Sequence, residues 1–318
     1  MRADELVACR GRLEEFAGEV FAPLVRADQR VKGGLYLRGL LLDGRRKSMQ
    51  PMAGRLGVDH RQLQQFMTSS TWPVNTLRAG VARRAVAVVR SHVWVVDDTG
   101  FPKDGTSSPG VARQYSGTLG KVGNCQIGVR VQAASDTASC PLMTAHAEAA
   151  VPHQPPYGGL GPRPLPRYRT RPIGLREHVL AAGRARAVTV TWCKGSKAAM
   201  SARFVFLRVR LAGRRPKPAP DGVIAIRWLI AQWPEGENEP VKYWISNLQA
   251  DIPPRDLVRL AKLRWRIEHD YRELKTTLGL DHFEGRSFTG WHRHVTLVTA
   301  AHLFLTEQRT CPKAPARA

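Results

Sequence analysis

Apolar positions recur at helical spacing through the first 88 residues. Leu6, Cys9, Leu13 and Phe16 fall three or four residues apart, and "GLYLRGLLL" continues an apolar face. In "SMQPMAGRLGVDHRQLQQFMTSS", Ala53 is followed by a turn glycine, Gly57. Asp59 then fits a helix N-cap, and Leu63 and Phe66 stand at helical spacing. A small residue, a turn and a buried aliphatic in that order suit two helices crossing closely, as in a helix-turn-helix. Its second helix would turn His60, Arg61, Gln64 and Gln65 outward, towards phosphates and base edges. The plainer reading is a helical hairpin that packs and does nothing more.

Beyond residue 85 the period changes. The apolar run in "RSHVWVVDDTGFPKDG" climbs to Asp97 and Asp98 and breaks at Gly100 and Pro102, and "NCQIGVRVQAAS" alternates through Ile127, Val129 and Val131. Between them lies a turn-rich stretch with room for one short strand. This pattern predicts two acids at the C-terminal tip of a central strand, where α/β folds place ligands. "VPHQPPYGGLGPRPLPRYRTRP" reads as a linker without a core of its own. Four short strand candidates follow, in "RAVTVTWCKG", "ARFVFLRVRLAG", "IAIRWLIAQWP" and "VKYWISNL". The last pattern, "PPRDLVRLAKLRWRIEHDYRELKTTLGL", predicts one long helix with apolar Leu257, Leu260, Leu263, Ile267 and Leu274, ending near Gly279.

Composition sharpens the expected partner. The 318 residues are 43% hydrophobic, enough for a packed core, and 49 Lys and Arg against 26 Asp and Glu leave a net charge of +23. Such an excess on a folding chain favours a polyanion, through phosphate neutralisation and counterion release. A solvated basic surface or a membrane-surface protein would share the charge, but no amphipathic or lipidated anchor accompanies it. Five scattered cysteines without C-x-x-C spacing fit reduced thiols rather than a disulfide scaffold or zinc site. With no signal peptide and no long apolar run, the expected location is the cytoplasm, on the nucleoid when bound to DNA.

Charge also singles out one helix face. Arg264, Glu268, Arg272 and Lys275 follow at steps of four, four and three, so they line up. A solvated face stitched by ion pairs would look the same. Here Trp265 and Ile267 flank the glutamate, one carboxylate stands among several cations, and a strand acid lies upstream. A strand Asp with a helix Glu in a basic protein suits two-metal phosphoryl chemistry, in which Mg²⁺, or Mn²⁺ in its place, is held by hard oxygen ligands. The neighbouring Arg264, Arg272 and Lys275 would grip DNA phosphates.

"RWRIEHDYRELK" followed by "GLDHFEGRSFTGWHRHVTL", with "VDDTGFPKDG" and "GVARQYSGTLGKVGNCQIGV" upstream, resembles the DDE transposases of bacterial insertion sequences, the insertion sequence 701 family most of all. The resemblance implies an α/β fold: an RNase H-like catalytic core, a β-rich insertion and an N-terminal helical domain. It also implies cleavage at transposon ends and joining to target DNA. Related enzymes carry a Tyr–Arg–Glu–Lys signature on the glutamate helix; Arg264, Glu268 and Lys275 match its last three members, while Ala261 stands at the Tyr position. By the same matching Asp98 is the first catalytic and metal-binding acid, Asp97 the second choice, and Glu268 the last. The implied partners are double-stranded DNA, the terminal inverted repeats and a second copy in a homodimer.

A DDE site needs a middle carboxylate after a further strand, and none is found. From Ser139 to Tyr157 the chain passes directly into the Pro/Gly stretch, too short for a strand, crossover helix and return strand. Asp136 looks like a loop residue, and Asp221 and Asp251 belong to turns. The expectation is therefore an internally deleted transposase with an incomplete core, the central strand missing, and Val and Trp faces left exposed. Its divisions would be 1–88 helical and helix-turn-helix-like, 89–142 the first part of the core, 143–184 the linker, 185–250 the β-rich insertion, and 251–318 the glutamate helix with the C-terminal helices. Catalysis would be lost or weak. A DNA-binding remnant without cutting activity is the alternative, and a relic without activity the third.

Overall fold

A computed structural model describes residues 3–116, 119–146, 173–194, 198–212 and 224–310. The chain divides into two compact units, residues 1–153 with 264–318, and residues 154–263. No described helix is long and apolar enough to cross a membrane.

The first unit begins with five helices, α1 (Ala3–Phe21), α2 (Ala27–Leu41), α3 (Met49–Leu56), α4 (His60–Thr68) and α5 (Val74–Val89). The turn between α3 and α4 forms as its residues dictate. Gly57 takes φ +67°, a left-handed value that costs a residue with a Cβ, and Asp59 Oδ1 accepts the Arg61 backbone N–H at 2.9 Å. Met52, Ala53, Leu63, Phe66 and Met67 are buried between the helices. Arg61, Gln64 and Gln65 face solvent, and His60 is half-buried.

A sheet of β1 (Val93–Pro102), β2 (Val111–Ser116), β3 (Lys121–Ala134) and β4 (Ser139–His146) follows, antiparallel throughout. The long β3 is its axis. β1 pairs along one edge, from Val93↔Ala134 to Pro102↔Cys125, while β2 and β4 share the other. Two expectations are corrected here. Asp97 and Asp98 lie in mid-strand, opposite Arg130 and Val129, because β1 runs on through Gly100 to Pro102. And β1 is an edge strand among the described residues, since it pairs only with β3. The two corrections have one cause: a strand with a free edge accommodates a proline that cannot donate to a ladder. The strand accordingly alternates, with Trp94 64% and Val96 65% exposed and Phe101 buried.

The expected single C-terminal helix is two, α7 (Pro254–Lys262) and α8 (Arg264–Thr276), with Leu263 between them. They serve different cores. Leu257 and Val258 of α7 pack with Trp192, Phe204 and Ile230 in the second unit, whereas Ile267, Tyr271 and Leu274 of α8 join the core of the first. The second unit is a four-stranded antiparallel sheet, β5 (Val188–Lys194), β6 (Ala199–Arg210), β7 (Ile226–Gln232) and β8 (Lys242–Ser246), in that order. Val179 of α6 (Leu175–Ala182) packs with Val205, Leu207, Leu229 and Ala231, and α7 packs with the alternate residues Phe204 and Ile230. In the first unit α9 (Phe288–Thr310) is buried along most of its length, as a central core helix must be, and it carries Arg293, His294 and His302 into that core. The Pro/Gly/Arg stretch from 147 to 172, Asp221 and the chain after 310 lie outside the described residues.

Candidate active site

Strand alternation sends Asp97 and Asp98 to opposite faces of β1. Asp97 turns towards α8, its side chain 14% exposed, and Arg264 Nη2 stands 3.2 Å from its Oδ1. Burial raises the Asp97 carboxyl above the ordinary range; Arg264 opposes the rise, while the charges of Asp98 and Glu268 add to it. Glu268 therefore acts on Asp97, the second-choice acid of the sequence reading. Asp98, the first choice, is exposed beside Trp94 and Val96 on the alternating face.

Helical period places α8 on the strand. Ile267, Asp270, Tyr271 and Leu274 form its buried side, and Glu268 and Arg272 remain exposed. The Tyr271 hydroxyl donates to the Asp97 carbonyl at 3.2 Å. Lys275 Nζ donates to the Gly100 carbonyl at 2.8 Å and sits 4.7 Å from the Phe101 ring centroid, its pKa lowered by burial. Of the three cations expected to grip DNA, Arg264 is thus committed to Asp97 and Lys275 to the strand, and Arg272 faces solvent.

Beneath α8 lies a buried polar cluster that sequence reasoning missed. Ser139 Oγ donates to Asp270 Oδ2 at 2.6 Å. His302 Nε2 of α9 lies 3.7 Å from Asp270 and 3.4 Å from Glu273, and Arg309 Nη1 donates to Glu273 Oε2 at 2.8 Å. Burial alone would lower the His302 pKa, but the neighbouring Asp270, Cys140 and Glu273 carry it well above the usual imidazole range. Glu273 is held far below the carboxylate range, first by its hydrogen bond from Arg309. Arg130, buried across the sheet from Asp97, has its guanidinium 5.6 Å from the Tyr271 ring centroid, and burial pulls its pKa down to about 10. The available signal was the three-residue spacing of Asp270 and Glu273, with His302 in the apolar run "VTAAHLFL" of α9.

Asp136 sits in the turn between β3 and β4. Its carboxylate lies 3.9 Å from His92 Nδ1, and its backbone carbonyl accepts from Arg266. His92 is five residues before Asp97, about 16 Å along an extended strand, so Asp136 belongs to the far end of β1. Asp251 is an exposed turn residue in the second unit. Among the described residues no three His, Cys, Asp or Glu side chains are placed to hold a metal ion. Asp97 and Glu268 supply two carboxylates, and the first is already paired with a guanidinium. Among the described residues the donor set does not fit a two-metal centre.

Two family comparisons match this chain. "DDE superfamily endonuclease" covers residues 19–145, from α1 through β4, and "Transposase DDE domain" covers residues 221–304, including α8. A curated relative, "Probable transposase for insertion sequence element IS701" of Microchaete diplosiphon, is 33% identical over 96 residues, 29% of this chain and 25% of the relative. The matched segment thus spans a quarter of that relative's length.

Proposed function

The chain belongs to the DDE-type transposases, and from that premise we propose that it binds insertion-sequence ends as double-stranded DNA without cutting them. The observation that carries this reading is the pair of carboxylates at α8. Asp97 of β1 is raised by the charge of Glu268 on α8, as a strand acid beside the helix acid of a DDE site should be, and among the described residues no three acids, histidines or cysteines gather to hold a metal ion. As a class, DDE transposases use divalent metal ions. Two carboxylates, one neutralised by Arg264, would leave Mg²⁺ or Mn²⁺ short of anionic ligands and the ions' mutual repulsion poorly offset. Asp97 takes the role expected of Asp98, because only Asp97 turns towards the glutamate helix.

An internal deletion accounts for the missing acid. β1, which would sit inside a complete sheet, has one edge unpaired among the described residues, with Trp94 and Val96 exposed. In this reading the protein acts in the cytoplasm, on the nucleoid, and pairs as a homodimer on two ends.

The test is incubation of the purified protein with duplex carrying the element's terminal repeat, in Mg²⁺ and in Mn²⁺. We expect retarded but intact DNA. Each 1.4 kcal/mol of lost transition-state stabilisation is about tenfold in rate, and a missing anionic ligand removes several such factors. Cleavage lost in Glu268→Ala would overturn the non-cutting reading, and its further loss in Asp136→Ala would identify the replacement acid. No retention of any duplex would overturn the binding reading as well.

A further inference from the structure

Two adjoining cavities open on the first unit, away from Asp97. The smaller, about 190 Å³, is lined by His60 and Gln64 of α4 together with Lys47 and Gln50. The larger, about 600 Å³, is lined by Arg46, Lys103 and Arg286 and by the hydroxyls of Ser107 and Ser108. Ser48, His282, Phe283 and Glu284 border both, so the two lie side by side along one trough-shaped surface. It runs from the outer helix of the helix-turn-helix, past the loop between α2 and α3, to the loop that follows β1.

The trough is built rather than incidental. Its floor, the turn between α8 and α9, is fixed to the α2–α3 loop, where the Lys47 backbone N–H donates to His282 Nδ1 at 3.0 Å. Gly279 takes φ +67°, and a Cβ there would stand 2.3 Å from Lys47 Cβ, so only glycine allows the approach. Phe283 is held by the His294 and Trp291 rings, at 5.4 and 5.9 Å between centroids. A preformed wall of this kind holds a ligand without an ordering cost.

Its chemistry suits a phosphodiester backbone. Arg46 and Arg286 are exposed, Lys103 is half-buried, and Arg45, Arg55 and Arg61 stand exposed on the neighbouring loop and helices. Asp281 and Glu284 also line the larger cavity, and their charges support the Lys103 ammonium against the burial that lowers its pKa. Cations with interspersed hydroxyls are the groups that position a duplex through its phosphates. The outer face of α4 adds Arg61, Gln64 and Gln65, side chains that read base edges.

We propose that the trough is a track for one phosphate backbone of double-stranded DNA, continuous with α4, so that the helix-turn-helix and the sheet that carries Asp97 hold the same duplex. This rests on the DNA-binding reading above and names the surface that performs it. The test is fluorescence anisotropy with a labelled duplex of random sequence across a salt series. Each phosphate contact contributes about −0.9 to the slope of log K against log salt. Arg46→Ala with Arg286→Ala should therefore make the slope shallower by about 2, and weaken binding to terminal-repeat and random duplexes by the same factor. Both residues are exposed, so folding should be retained, and circular dichroism melts check it. The control Arg10→Ala with Arg83→Ala, two exposed cations on α1 and α5, should leave the slope unchanged. An unaltered slope in the trough variant, with a steep slope in the parent protein, would overturn the track and leave the DNA-binding reading standing. An equal fall in the control would also overturn it, by showing general charge alone. A parent protein that binds no duplex would overturn both readings.

Discussion

One ion pair sets the character of the candidate site. Arg264 holds Asp97 at 3.2 Å, and its charge opposes the burial that would otherwise raise the carboxyl further. Arg264→Leu should therefore raise the Asp97 pKa above its value in the parent protein, and Glu268→Gln should lower it by removing a like charge. Carboxyl ¹³C shifts followed against pH measure both, and a titration unmoved by Arg264→Leu would show that the guanidinium is not the counter-charge. Because folding raises this carboxyl, its contribution to stability is present below the unfolded pKa and lost as pH rises through the folded one. Tyr271 acts through the backbone instead, and Tyr271→Phe should cost about 1 kcal/mol, the net worth of an ordinary hydrogen bond. Urea midpoints would record it.

The elements are joined by the cluster under α8, where His302 of α9 faces Asp270 and Glu273 of α8, with Cys140 of β4 alongside. Folding raises the His302 pKa, so its stabilising contribution is complete below about pH 6.5 and declines as pH rises through the higher folded value. Folding lowers the Glu273 pKa, so that contribution is present above the ordinary carboxylate range and lost only in acid. His302→Ala should destabilise by about 3 kcal/mol at pH 6, since it leaves the buried Asp270 without its cation, while Glu273 keeps Arg309. It should also flatten the decline of thermal stability between pH 6 and 9, and an unchanged slope there would exclude His302 as its source. The exposed side of β1 behaves oppositely. Trp94→Thr and Val96→Lys touch no core and should change stability by no more than about 0.5 kcal/mol, while reducing aggregation through the edge of β1 that is unpaired among the described residues. A loss of several kcal/mol in melts of either variant would mean that a second copy covers that edge.

At the scale of the whole molecule, the net charge of +23 dominates. Affinity for any duplex should fall steeply with salt, log K declining linearly against log salt, since exposed arginines exchange counterions for phosphates. A flat line would remove DNA as the explanation of the charge. Raising salt from 50 to 200 mM should weaken binding by at least about 10³, if six or more phosphates are contacted.

Much was legible from sequence alone where a local rule decides. The helical period, the Gly57 turn and the Asp59 cap marked out α3 and α4, and alternation marked β3, because these depend on neighbours a few residues apart. The same period placed Arg264, Glu268 and Lys275 along α8. Tertiary structure decided what depends on distant partners. Whether Asp97 or Asp98 faces Glu268 follows from which side of β1 receives α8, and residues 97 and 264 are joined only by folding. The break at Leu263 depends on two cores competing for one apolar pattern, and the end of β1 on an edge, unpaired among the described residues, that admits Pro102. The charge of His302 exists only because Asp270, Glu273 and Cys140 meet it inside a core, where burial by itself would have left the imidazole neutral.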